Sequence, residues 1–173
     1  EYAKAKNIDF IICDHHLPEA KVPDAIAVLD PKQADCNYPY KELSGCGVAF
    51  KLVQAYVEKN DLDFKEVTDL LDLLMVSIAC DIVPITGENR VLTYFGLQHL
   101  NDYAREGLRA LISMANRSYP LSISNVVFGI GPMINAAGRL SDAKNAVKLL
   151  LSEDKYEAKE NAEKLKYENI KRR

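Results

Sequence analysis

The chain has no run of apolar residues long enough to cross a bilayer. The longest candidate, Leu70 to Ile85, is broken by Asp72 and Asp81 and falls short of the roughly 20 residues a helical span needs. It also lacks a CxxC pair: Cys13, Cys36, Cys46 and Cys80 are too widely scattered for a zinc knuckle or a dithiol redox centre, and are expected as reduced thiols in the cytoplasm. There is no excess of positive charge. Lys plus Arg number 22 and Asp plus Glu 25, so 22 − 25 leaves −3, which excludes a histone-like polycation. No internal repeat or low-complexity tract is present, and no basic-then-apolar leader precedes the first strand-like run. The first residue is Glu1 rather than Met, so the chain is expected to be a piece of a longer protein.

What is there suits a packed domain of ordinary size or two small lobes: 173 residues, 48% hydrophobic and 27% charged. Ile8 to Cys13 predicts a buried strand ending in Asp14-His15-His16, and Ala25 to Leu29 predicts a second strand closed by Asp30-Pro31. After Ser44-Gly45-Cys46-Gly47, the apolar spacing of Ala49, Leu52, Val53, Tyr56 and Val57 predicts a helix. Asp63 and Glu66 have capping-box spacing, and from Phe64 to about Cys80 one central helix is expected, apolar on every side after Leu70. A further helix should present Val91, Leu92, Phe95 and His99 on one stripe, and another Leu108, Leu111, Ile112 and Ala115. Ile123 to Ile130 reads as a strand, followed by a turn-rich stretch and a helix bearing Ala143, Ala146, Val147 and Leu150. Alternating strands and helices favour an α/β fold. The segment from Asp154 to Arg173 reads as a solvated connector helix with the thin stripe Ala158, Ala162, Leu165 and Asn169 and with i,i+4 pairs such as Glu160 with Lys164 and Glu168 with Arg172.

Several residues could carry chemistry, each with a plainer reading beside it. Carboxylate and imidazole groups at the mouth of an α/β sheet are a ligand set for Mn²⁺, Mg²⁺ or Zn²⁺, which makes Asp14, His15 and His16 candidates; the plainer reading is a polar turn with solvated histidines. Asp81 follows an apolar helix, where a carboxylate needs a metal, a cation or donors unless the helix end is exposed. Asp69 and Asp72 share a helical face near the N-terminal half, expected to be solvated or favoured by the helix dipole. Ser44-Gly45-Cys46-Gly47 is a loose phosphate cradle without the Walker lysine, or a tight turn and helix start. Asn135 and Arg139, four apart after Gly131-Pro132, suit phosphate oxygens; the plainer reading is a structural arginine that braces backbone carbonyls. His99 is expected as a half-buried packing residue.

Taken in order, these blocks resemble one family. Ile8 to Pro18, with Asp14-His15-His16 at its centre, is similar to the signature of the DHH phosphoesterases. Ser44 to Leu52, Asp81-Ile82-Val83-Pro84 with Thr86 to Arg90, and Gly131 to Arg139 with Leu140 to Ala143 resemble its RecJ-type single-strand-specific exonucleases. The resemblance implies a parallel-sheet DHH core, truncated, with a helical second part and a long C-terminal connector helix. Residues 1–100 would be the later portion of the catalytic lobe, 101–153 the remainder of the core, and 154–173 the start of the connector.

It also implies 5′-to-3′ hydrolysis of single-stranded DNA with Mn²⁺ or Mg²⁺, two ions in the intact enzyme. His15 and Asp81 would be ligands, His16 a ligand or phosphate contact, and Asp14 a ligand or an orienter of a histidine. Asn135, Arg139, Gly45 and Gly47 would meet phosphate. Partners would be single-stranded DNA and a single-strand-binding protein or helicase, with no membrane. Met133 stands where the family usually has arginine. The family's upstream Asp-x-Asp block and further Asp cannot lie in residues 1–7, so this piece alone is expected to be inactive. Two alternatives remain open: a DHH phosphoesterase acting on short oligonucleotides, cyclic dinucleotides or pyrophosphate, and a non-catalytic DNA-binding scaffold.

Overall fold

The computed structural model describes the chain apart from residues 1, 20, 141, 142 and 173 and the side chains of residues 137–140, 168, 169, 171 and 172. A short helix, α1 (Tyr2–Ala5), leads into two parallel strands, β1 (Ile11–Cys13) and β2 (Ala27–Leu29), which pair Ile11 with Ala27 and Cys13 with Leu29. The ladder runs one bond further, from the amide of Asp14 to the carbonyl of Leu29 at 2.9 Å, and this places Asp14 at the strand mouth. The rest is helical: α2 (Gly45–Lys59), α3 (Lys65–Thr68), α4 (Leu71–Asp81), α5 (Gly87–Tyr103), α6 (Glu106–Met114), α7 (Ile123–Asn125), a π-helical stretch (Val126–Ile130), α8 (Gly131–Leu140), α9 (Lys144–Leu151) and α10 (Lys155–Arg172). The α/β class holds, with far more helix than sheet. No helix among the described residues is long and apolar enough to cross a membrane.

Helix α4 is the centre, as its all-round apolar sequence predicts. Leu74 and Ile78 enter one cluster with Phe50, Val57 and Val67, while Met75, Val76 and Ala79 enter the larger cluster with Leu100, Leu108, Leu111, Ile130 and Leu165. The single helix expected from Phe64 to Cys80 is two. The Asp69 carbonyl accepts from Arg105 Nη2 at 2.9 Å, and the Leu73 amide donates instead to Asp72 Oδ1 at 2.7 Å, so the backbone bond that would join α3 to α4 is replaced on both sides. Asp63 does not form the capping box with Glu66; its carboxylate accepts from the Lys65 amide and opens α3 there.

Four other expectations are corrected. The β-branched run from Ile123 to Ile130 is helical, because Ser122 and Asn125 form a capping box and Val126 and Ile130, four apart, both reach the core. On α5 the buried face is Asn89, Thr93, Gly96 and Leu100, while Val91 and Phe95 of the expected stripe are exposed; Gly96 lets α5 approach Leu71 and Met75 so closely that this face turns inward. The stripe of α10 is core: Ala158, Ala162 and Leu165 are fully buried, and of the sequence features expected there Asn169 and the pair Glu168 with Arg172 lie outside the described side chains. The first strand is short, and Ile8, Phe10 and Ile11 stay more than half exposed rather than buried.

Candidate metal centre

The polar cluster at the end of β1 folds into a tight turn around one carboxylate. Asp14 Oδ1 accepts from the His15 amide at 2.7 Å, from the His16 amide at 3.2 Å, and meets His16 Nδ1 at 2.7 Å. The bond to His16 is the main reason the Asp14 carboxyl sits below its ordinary range, with the two amides adding to it. An ionised carboxylate only accepts, so Nδ1 of His16 carries the hydrogen, and the neutral ring then offers a lone pair at Nε2. The turn brings the His15 and His16 rings within 4.4 Å of each other, but their surroundings differ: the His15 side chain is 17% exposed and that of His16 78%. A cavity of about 410 Å³ opens beside Asp14 and His16, reaching Pro18, Lys21, Asp30 and Gln33.

Asp81 comes from the other end of the fold's central helix. It is the last residue of α4, and the next residue, Ile82, holds the left-handed conformation at φ 54° that stops the helix. Asp81 Oδ2 faces His15 Nε2 at 3.9 Å, too far for a hydrogen bond. Ser77, one turn earlier, places its hydroxyl 3.4 Å from the same oxygen. Burial pushes the neighbouring Cys80 thiol up to about 12, with the Asp81 charge adding to the shift.

The Ser44-Gly45-Cys46-Gly47 block starts α2 directly beside these groups. Ser44 is the extended N-cap, and its hydroxyl accepts from the Gly47 amide at 3.1 Å. The Gly47 amide is therefore already satisfied, which removes the phosphate-donor reading for that group. Gly45 lies against the His15 ring: a Cβ there would stand 3.3 Å from His15 Cδ2.

Asn135 reaches the same region from α8 and donates its side-chain amide to the Cys80 carbonyl at 3.1 Å. Arg139 is on α8, and its side chain lies outside the described residues, as does the Ser141-Asp142 part of the block. Met133, 3% exposed, is a core residue and meets no solvent-borne phosphate. The solvated face expected for Asp72 is a correction as well. Asp72 is 1% exposed and clamped side-on by Arg105, an arrangement to which only the arginine far along the chain could have pointed. His99 is half-buried as expected, with its Nε2 3.9 Å from Asp69 Oδ1.

The donor set suits a divalent ion in part. An imidazole nitrogen and a carboxylate oxygen 3.9 Å apart can both reach one ion at about 2.1 Å each, and neither satisfies the other by hydrogen bonding. Among the described residues no group of three or more His, Cys, Asp or Glu side chains is gathered for a metal, so His15 and Asp81 are a pair of ligands rather than a complete shell.

Known proteins share this arrangement of elements. Residues 1–78 match the DHH family, N-terminal domain. The single-stranded-DNA-specific exonuclease RecJ of Escherichia coli (strain K12) is 37% identical over 176 residues, covering 95% of this chain and 30% of that protein. The protein of the same name from Bacillus subtilis (strain 168) is 41% identical over 172 residues, covering 98% of this chain and 21% of that protein. The chain thus spans between a fifth and a third of the length of these relatives. A crystal structure of exonuclease RecJ bound to manganese superposes with a TM-score of 0.85 at 32% identity, over 99% of this chain and 43% of that one. A crystal structure of RecJ from Thermus thermophilus in complex with Mn²⁺ gives 0.83 at 31% identity, over 97% and 25%.

Proposed function

Because residues 1–78 match the DHH family, N-terminal domain, and the chain is similar along nearly its whole length to RecJ exonucleases, we propose that it forms the metal-holding part of a phosphodiesterase that degrades single-stranded DNA from the 5′ end. Mn²⁺ or Mg²⁺ is the cofactor. The setting is cytoplasmic DNA repair and recombination, where a single-strand-binding protein or helicase supplies the strand. One observation carries the reading: the fold brings His15, at a strand end, and Asp81, at a helix end, to 3.9 Å with their donor atoms facing and unpaired to each other.

In this reading His15 and Asp81 are ligands to one ion. Asp14 fixes the His16 ring through Nδ1, so that the exposed Nε2 is turned to a second ion or to a phosphate oxygen. Asn135 holds the end of α4 in place through the Cys80 carbonyl, and Arg139, one turn further along α8, is assigned to backbone phosphate, with the Gly45 amide at the start of α2 as a neutral donor. When bound, the ions neutralise charge on the scissile phosphate and activate a water molecule.

The test is hydrolysis of 5′-phosphorylated single-stranded DNA in Mn²⁺ by the full-length protein. His15→Ala and Asp81→Ala should each lower kcat/KM by more than the roughly 10–100-fold typical of losing a group that merely orients a ligand. Turnover retained in both variants would refute the ligand roles.

A further inference from the structure

The Ser44-Gly45 helix start does more than offer the Gly45 amide, because it reaches both metal-holding residues, His15 directly and Asp81 through Ser77. Its contacts run in two directions. Toward β1, Gly45 leaves the space that the His15 ring occupies, since an added Cβ would come within 3.3 Å of His15 Cδ2 and 3.8 Å of Nε2. Toward α4, the fully buried Ser44 hydroxyl stands 3.1 Å from Ser77 Oγ, and Ser77 Oγ stands 3.4 Å from Asp81 Oδ2.

Hydrogen counting gives this second path a direction. The Ser44 oxygen already accepts the Gly47 amide. Ser77 has one hydroxyl hydrogen and three polar neighbours, Ser44, Asp81 and the Cys46 thiol. An ionised carboxylate can only accept, whereas the Ser44 hydroxyl and the Cys46 thiol can each donate, so all three contacts are satisfied together when Ser44 and Cys46 donate to Ser77 and Ser77 gives its own hydrogen to Asp81. The Asp81 side chain is 36% exposed, so this donor steers the carboxylate rather than replacing its water. Asp81 sits at the C-terminal end of α4, where the helix dipole disfavours an anion, and its oxygen must stay turned toward His15.

We propose that Ser77 and Ser44, with Gly45, are the positioning residues of the metal centre: the hydroxyl pair aims Asp81, and the bare glycine seats His15. The start of α2 is then the common template for two ligands that come from different elements. This rests on the metal reading given above, and its test is built so that the two fail separately.

The measurement is Mn²⁺ affinity of the full-length protein by calorimetric titration, with no substrate present. Ser77→Ala should weaken Mn²⁺ binding about tenfold or more, in the range known for groups that orient a ligand, while Ser77→Thr, which keeps a hydroxyl on the same carbon, should stay within about threefold of the parent. Ser77→Ala within about threefold of the parent overturns the proposal. Equal weakening in Ser77→Ala and Ser77→Thr also overturns it, because the hydroxyl is then not the agent. Asp81→Ala with unchanged Mn²⁺ affinity defeats the metal reading itself, whatever the serine variants do.

Discussion

Arg105→Ala should destabilise the fold more than removing Arg105 and its partner together. Asp72 is 1% exposed, and Arg105 grips it with two bonds of 2.8 Å, from Nε to Oδ2 and from Nη2 to Oδ1. Without the guanidinium the carboxylate keeps one donor, the Leu73 amide, inside a nearly dry site. Breaking a buried pair in this way costs roughly 3–5 kcal/mol. The Arg105 side chain is 26% exposed, so water can enter where it was, and the lower end, about 3 kcal/mol, is expected. For a chain of this length that is a fall in Tm of roughly 6–12 °C. The pair replaced by Asp72→Leu with Arg105→Leu should recover most of the loss, since apolar substitutes of similar volume often match a buried ion pair. Urea unfolding followed by circular dichroism measures all three proteins. A cost below about 1 kcal/mol for Arg105→Ala, or a double variant no better than the single one, would refute this account.

At Gly96 an added Cβ would stand 2.5 Å from Met75 Cβ and 2.6 Å from the Leu71 carbonyl oxygen, a backbone atom that cannot swing aside. Gly96→Ala should therefore lower Tm by forcing α4 and α5 apart, at about 1–3 kcal/mol, outweighing the better helix propensity of alanine; an unchanged or raised Tm would contradict the close crossing. Cys80, pushed up to about 12 by burial and by Asp81, remains protonated at pH 9, so its alkylation by iodoacetamide should be far slower than that of an unstructured cysteine peptide. Equal rates by mass spectrometry would show the thiol to be open and ionised.

The parts of the fold that were legible in the sequence are those where local pattern and tertiary demand agree. Helix α4 is apolar on all faces and central. Ser44 is a capping residue in a capping position, and Asp14 to His16 close a strand. The separate residues of the candidate metal centre could be picked out because carboxylate and imidazole groups at a strand end and a helix end form a donor set for a divalent ion. Their meeting could not, since a strand end and a helix end far apart in the chain are brought together only by the tertiary fold.

Where the reading failed, packing overrode local preference. Ile123 to Ile130 has strand composition, but a capped start and two core-facing residues four apart make it helical. On α5 a glycine outranked Val91 and Phe95 in choosing the inward face, because contact distance between helices depends on the smallest residue at the crossing. Asp72 looked like a solvated acid because its arginine lies beyond any window a helical pattern can scan. Ser77 carries no signal except its place one turn before Asp81.

Ile82 gives the proposed metal centre a timing. A β-branched residue with φ 54° is held against its own preference, at a cost of order 1–3 kcal/mol, and it immediately follows Asp81. The sharp stop it makes leaves the carboxylate at the tip of α4, facing His15, before any ion arrives. The free energy for orienting that group is thus drawn from the folding reaction, once in the lifetime of the molecule, and does not recur each time a cation binds or leaves.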